Sequence, residues 1–223
     1  TQIVRVASLT PTTNYYIRVR AIDDGGNSSG WSNVVAAATT SDATVISANT
    51  AWTRITSPRH VSKKVIVNAG VTLTIEAGVD VVMDADIQIV VNGKISAIGT
   101  KTDSIRFIRG SSASWGGIRI MGSDTSTIHY ARISGGVATG DIPDSYGGGL
   151  FLGDTGPRLG LGHVVLSGNT ADAGGGIFVD NNAVLSVENS TVSGNTGGSG
   201  GGAYLRGTWQ TFSNSTIADN IAG

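Results

Sequence analysis

The sequence predicts an all-β chain whose main part is a parallel β-solenoid, and three observations carry that prediction. Gly147-Gly148-Gly149-Leu150-Phe151-Leu152 returns as Gly174-Gly175-Gly176-Ile177-Phe178-Val179 and again as Gly200-Gly201-Gly202-Ala203-Tyr204-Leu205, at spacings of 27 and 26 residues. A second marker, Ser167-Gly168-Asn169-Thr170, returns as Ser193-Gly194-Asn195-Thr196 and, weakened, as Ala218-Asp219-Asn220-Ile221, at spacings of 26 and 25. Upstream, short β-branched runs alternate with turn residues and no segment has a helical period of useful length. A repeat in the mid-twenties made of strand-like runs is the mark of a chain whose coils bury their apolar faces only against the coils above and below.

Aligning the repeats sets the register of each element. Ile118, Leu150, Ile177 and Ala203 fall into one column and Ile120, Leu152, Val179 and Leu205 into a second. This is the period-two alternation of a strand with one buried face. Ile128, Leu161, Val187 and Phe212 make a further column. Ala131, Val164, Ser190 and Ser215, then Ile133, Leu166, Val192 and Ile217, complete the inward set. Parallel coils stack about 4.8 Å apart, so like residues sit on one another. Asn169, Asn195 and Asn220 are therefore expected to form an amide ladder at a corner, with Asn accepting the left-handed conformation there. The glycine triplets are read as a second corner. A phosphate cradle would need a helix after the glycines, and a strand follows them.

Earlier coils are less regular. Residues 65–67, 71–75, 79–83, 87–91 and 105–108 read as strands, separated by turns at Asn68-Ala69-Gly70, Ala77-Gly78 and Asn92-Gly93. Val71-Thr72-Leu73-Thr74-Ile75-Glu76-Ala77-Gly78-Val79, Ile89-Val90-Val91-Asn92-Gly93-Lys94-Ile95 and Trp115-Gly116-Gly117-Ile118 together resemble the first coils of right-handed parallel β-helices of the pectin-lyase-like kind, found in bacterial surface and secreted proteins. The later triplets and Ser-Gly-Asn-Thr motifs resemble polymorphic outer-membrane-type repeats. The resemblance spans residues 42–223 and implies the right-handed fold far more than any activity.

Residues 1–41 are a different object. Leu9-Thr10-Pro11-Thr12-Thr13-Asn14-Tyr15-Tyr16-Ile17-Arg18-Val19-Arg20-Ala21, followed by Gly30-Trp31-Ser32-Asn33-Val34-Val35, resembles the last three strands of a fibronectin type III domain, with Tyr15 at the tyrosine-corner position. About 40 residues cannot bury an independent core. The expectation is a fragment of a longer polypeptide, or strands completed by another molecule. Residues 217–223 stop in mid-repeat, which predicts either continuation of the chain or a last coil covered by a neighbouring subunit. An open coil is an unpaired sheet edge, and head-to-tail contacts between such edges generate filaments.

Composition narrows the function classes. The 223 residues hold 33 glycines, no cysteine and 14% charged residues, at a net charge of −1. That describes a turn-rich β scaffold stabilised by stacking rather than by disulfides. No basic block or stripe is present, so nucleic acid is not the expected partner. No apolar run reaches the 18 residues that a membrane-spanning helix needs.

Catalytic candidates are few. Glycoside hydrolysis asks for two carboxylates across a groove, and lyase chemistry for a basic residue with carboxylates that hold calcium. Asp80, Asp84 and Asp86 lie close in sequence, but a turn intervenes. No cofactor is expected, and calcium stays open. His129 and His163 stand near Arg132, with a bend expected between 128 and 131 and with His163 facing outward. The run Gly160-Leu161-Gly162-His163 is similar to the Gly-His element of pectin-degrading hydrolases, whose Asn-Thr-Asp, paired-Asp and Arg-Ile-Lys elements are missing. An ordered threonine face for ice is not formed by Thr72, Thr74, Thr125, Thr127, Thr170 and Thr196. The sequence therefore predicts no enzyme.

Contact surfaces are better supported. Phe151, Phe178 and Tyr204 each lie between two inward residues, with Arg119 at the same position one coil earlier. They predict an exposed aromatic stripe, suited to sugar rings or a partner subunit, or else simply stacked rings that shield the ladder. Between 128 and 161 the spacing is 33 instead of 26, which places an insertion at residues 137–146. Asp141, Asp144 and Tyr146 on that loop are candidates for a glycan hydroxyl or a cation. The expected function is a non-catalytic extracellular or cell-surface structural or adhesive protein that assembles with itself or with another surface protein. A carbohydrate-binding module, with cleavage a weaker variant of it, is the alternative.

Overall fold

The computed structural model describes residues 13–38, 43–111, 114–207 and 209–223. The chain divides into two compact units, Thr1–Asp42 and Ala43–Gly223. Among the described residues the only helical element is a 3-10 turn at Arg54–Thr56.

In the first unit, Asn14–Ile17 pairs antiparallel with Val35–Ala38. A turn at residues 23–27 is held by Asp23, whose carboxylate accepts from the backbone NH groups of Gly25 and Asn27 and from the Asn27 amide. Those bonds, the Asn27 side chain foremost, hold the Asp23 pKa below the ordinary aspartate value. Trp31 is exposed and lies under two guanidinium groups, Arg18 at 4.4 Å and Arg20 at 4.9 Å from the ring centroid. Leu9, Thr10, Pro11 and Thr12 of the fibronectin-like run lie outside the described residues.

The second unit is a parallel β-solenoid. Its first sheet has seven strands, one per coil: Ala43–Ile46, Lys64–Val67, Ile89–Val91, Ile118–Ile120, Leu150–Leu152, Ile177–Val179 and Ala203–Leu205. Every neighbouring pair is parallel and in register, so Ile118, Leu150, Ile177 and Ala203 stack as the repeat alignment requires. A twelve-stranded sheet forms the next two faces. In coils four and five these faces fuse into single bent strands, Thr125–Ser134 and Arg158–Ser167. A third sheet of three strands, Thr170–Ala173, Thr196–Ser199 and Ile221–Ala222, closes the later coils.

The core is one continuous apolar stack. Val67, Leu73, Val81, Val91, Ile95, Phe107, Ile120, Ile133, Leu152, Leu166 and Val179 are all fully buried. At the seventh coil the same columns emerge, since Leu205 and Ile217 are exposed and Phe212 only half-buried. Trp52 fills the first coil, and the Arg59 guanidinium lies 5.3 Å from its ring centroid.

Corners are made by two columns of left-handed residues. The first is Tyr130, His163, Asn189 and Asn214, with φ of 46°, 54°, 49° and 46°. The bend expected between 128 and 131 thus falls at Tyr130. The second column is Gly135, Gly168, Gly194 and Asp219, with φ of 74°, 64°, 63° and 54°. This corrects the placement of the left-handed residue, which sits immediately before each ladder asparagine and not on it. The ladder itself forms. Asn195 Oδ1 accepts from both the backbone NH and the Nδ2 of Asn169 at 3.0 and 2.9 Å, and Asn220 Oδ1 accepts likewise from Asn195 at 3.0 and 3.0 Å. The amides also donate to backbone carbonyls, Asn169 to Ile133 and Asn195 to Leu166. Ser190 and Ser215 make a parallel ladder, accepting from the NH groups of Val164 and Ser190 respectively.

Candidate functional site

The aromatic column forms as the repeat predicts, but it is not an exposed stripe. Arg119, Phe151, Phe178 and Tyr204 are register partners along the first sheet. Phe151 and Phe178 are 5.3 Å apart by ring centroid and Phe178 and Tyr204 5.4 Å, with interplanar angles of 6° and 7°. Coil spacing of about 4.8 Å sets that stack. Yet Phe151 is 2% exposed, Phe178 1% and Arg119 3%, while Tyr204 is 37% exposed. Period two tells which face of the sheet a side chain occupies; it does not tell what covers that face. Here the cover is the third sheet with Ala173, together with Tyr146 and Met121.

The loop over residues 137–146 supplies part of the cover. Its ends pair in parallel with the third sheet, Val137 with Thr170 and Tyr146 with Ala173. The insertion is therefore the fourth coil's version of that sheet, opened in the middle. Tyr146 passes beside the small Ala173 and stacks on Phe178 at 4.7 Å and 21°. Arg119 pins the loop from below, donating to the Pro143 carbonyl at 2.9 Å and the Tyr146 carbonyl at 3.2 Å. The Asp144 carboxylate lies 3.7 Å away and the Phe151 ring centroid 3.9 Å. Burial pushes the Arg119 pKa down, and the Asp144 charge opposes that shift. Arg119 is thus a buried anchor of the loop rather than part of a contact surface, while Asp144 stays exposed. Asp141 and Ile142 are exposed at its tip.

Arg119→Met should release the loop at a cost of about 2–3 kcal/mol, since two charge-assisted bonds to carbonyls are lost. Hydrogen exchange would show faster exchange at Ser145 and Tyr146, with the core strands still protected. Arg119→Lys is expected to behave similarly, because one ammonium cannot reach both carbonyls from under the ring.

What the cover leaves open is a groove of about 280 Å³, lined by Ile142, Tyr146, Asp172, Ala173, Phe178, Ser199, Tyr204 and Arg206. That is near the lower end of small-ligand sites, which run from roughly 300 to 1,000 Å³. One wall is aromatic and ends at the exposed guanidinium of Arg206, two residues beyond Tyr204, and the other carries the exposed carboxylate of Asp172 from the third sheet. Arg206 is 3.6 Å from Asp180, which follows the register partner of Leu205 on the preceding coil. Three of the sequence candidates, Tyr146, Phe178 and Tyr204, meet here. Asp172, Ser199 and Arg206 were missed, because only the third sheet brings the first two to the aromatic wall. The small residues Ala171 and Ala173, both buried, were the one sequence signal that another layer packs there.

The other candidates separate. Asp80 pairs with Arg106 on the next coil, which raises the Arg106 pKa above its ordinary value. Asp84 and Asp86 are exposed beyond the strand end. Among the described residues no three His, Cys, Asp or Glu side chains converge as metal ligands. His163 does face solvent, and its ring stacks on Tyr130 at 4.3 Å and 6°.

The class that this geometry defines is the parallel β-solenoid with a covered aromatic column. No protein-family model, no curated protein and no solved structure matches the chain. No helix among the described residues is long and apolar enough to cross a membrane.

Proposed function

We propose that the chain is a non-catalytic structural and adhesive element of the cell surface or extracellular space, built as a stiff solenoid. The observation that carries this reading is where the polar side chains go. The Asn169, Asn195 and Asn220 amides, the Ser190 and Ser215 hydroxyls and the Arg106–Asp80 pair all bond from one coil to the next. Side chains that repeat with the coil and bond along the axis favour mechanical cohesion over chemistry at one coil. Under this reading the solenoid is the right-handed pectin-lyase-like type and the first unit a fibronectin type III-like piece. Its partner is then a second copy or another surface protein. Electron microscopy of the natively isolated protein tests assembly: filaments with an axial repeat of one solenoid support a fibre subunit, and isolated particles at all concentrations remove that role.

A second reading, carbohydrate binding, is favoured by the Tyr204 groove. Aromatic faces at Tyr146 and Tyr204 beside Asp172 and Arg206 suit the apolar face and hydroxyls of a sugar ring. Tyr204→Ala should lower affinity for a neutral oligosaccharide at least tenfold in calorimetric titration and leave the circular dichroism unchanged. Unaltered affinity would remove the groove from the reading.

A further inference from the structure

We infer that the corner formed by Tyr130 and His163 is a binding site for an acidic saccharide, one whose ring carries a carboxylate or sulfate. It is separate from the Tyr204 groove and does not depend on it.

The backbone gives the first argument. The corner needs a left-handed residue in each of four coils, and coils six and seven supply Asn189 and Asn214. Asparagine takes that conformation at little cost, whereas a bulky side chain such as tyrosine is strained in it. Coil five uses His163 at φ of 54°, a residue that also tolerates this conformation, but coil four uses Tyr130, at φ of 46°. The two rings do not enter the core in exchange: Tyr130 is half-buried, His163 is exposed, and they stack on each other outside it. Strain retained where the same fold has an easier solution points to a use for the side chains.

The surroundings say which use. The stack lies in a groove of about 410 Å³ whose lining includes Thr100, Lys101, Arg132, Asn189 and Thr191. At the register position before Tyr130 stands Gly99, since Ile98 pairs with His129, and the loop that follows it brings Thr100 and Lys101 to the same groove. Lys101 and Arg132 are exposed, and neither pairs with a carboxylate among the described residues. Arg132 donates to the Ser167 hydroxyl at 3.2 Å. The carboxylate on the adjoining loop, Asp103, is taken up by Arg54 at 2.7 Å. Glu188, next to Asn189 in sequence, is not part of the lining. A flat aromatic pair, two cations without carboxylate partners, and hydroxyl and amide groups at the rim match a sugar ring bearing an anionic group. Arg106, the remaining cation of that column, is held by Asp80.

Calorimetric titration of the full chain with a heparin-derived hexasaccharide, with maltohexaose as the neutral control, tests the assignment. The wild type should bind the acidic hexasaccharide at least tenfold more tightly than the neutral one, and Arg132→Gln should remove most of that preference. Tyr130→Asn and His163→Asn should each lower the affinity at least tenfold; Tyr130→Asn should also raise the melting temperature, by about 2–4 °C, and His163→Asn should leave it little changed, since histidine already tolerates the corner. A gain in stability shows that the loss of binding is not a loss of fold. Carrying out these titrations in the Tyr204→Ala background keeps the groove out of the readout, which separates failure here from failure of the groove. The assignment is overturned by equal affinity for the two hexasaccharides, or by asparagine variants that bind as well as the wild type.

Discussion

Gly175→Ala is expected to destabilise the solenoid by about 3 kcal/mol, the cost of forcing atoms into a packed site that cannot yield. A Cβ on Gly175 would meet the carbonyl oxygens of Thr196 and Gly201, the latter at 2.5 Å. Both are backbone atoms of the next turn, so no side-chain rotation relieves the contact. Relief requires the coils to part, which stretches the bonds from the Gly175 NH to the Gly200 carbonyl and from the Gly176 NH to the Gly201 carbonyl, now 3.2 and 3.0 Å. Gly160→Ala is the matched control, because its Cβ would meet nothing within 4 Å. There the change should be within about 0.5 kcal/mol, or slightly stabilising through the lost freedom of the unfolded chain. Urea denaturation of the two variants side by side reads the difference. Equal midpoints would contradict the close approach of the coils.

Asn195→Ala should cost a similar amount, about 3–4 kcal/mol, by a different route. Its side chain is fully buried and joins three coils. Removal leaves the backbone NH of Asn169 without its acceptor and takes the amide donor from the Leu166 carbonyl, while the Asn169 amide and Asn220 Oδ1 each lose one of two bonds. Each buried group so stranded costs about 1–3 kcal/mol before any relaxation. Asn195→Asp separates shape from donors: the acceptor for Asn169 survives, but a carboxylate then faces Asn220 Oδ1, so the loss should be no smaller. Asn220→Ala is expected to cost less, since Asn220 is only half-buried and bonds to one neighbouring ladder residue. Denaturation monitored by circular dichroism gives the order, with Asn195 the most sensitive of the ladder.

Much of this architecture was legible because a solenoid writes its register into the sequence. Asn169 and Asn195 lie 26 residues apart and bond directly; Leu150 and Ile177 lie 27 apart and stack. The third sheet was not legible. Thr170–Ala173 and Thr196–Ser199 are short and rich in small residues, so nothing in their pattern distinguishes a strand from a corner. Without that sheet Phe151 and Phe178 looked like surface, and the groove could not be completed with Asp172 and Arg206. Tyr130 escaped for the opposite reason. Propensity argues against tyrosine at a left-handed corner, and the ladder partners on either side impose one.

The adhesive reading, joined to the acidic-saccharide corner proposed above, requires a scaffold that holds a glycan without cutting it. The most direct measurement incubates the immobilised full chain with cell-surface polysaccharides and determines both retention and the length of the recovered glycan. The predicted result is retention of at least one polysaccharide at its original length. Progressive appearance of shorter products would contradict the claim and return the chain to the class of β-solenoid enzymes.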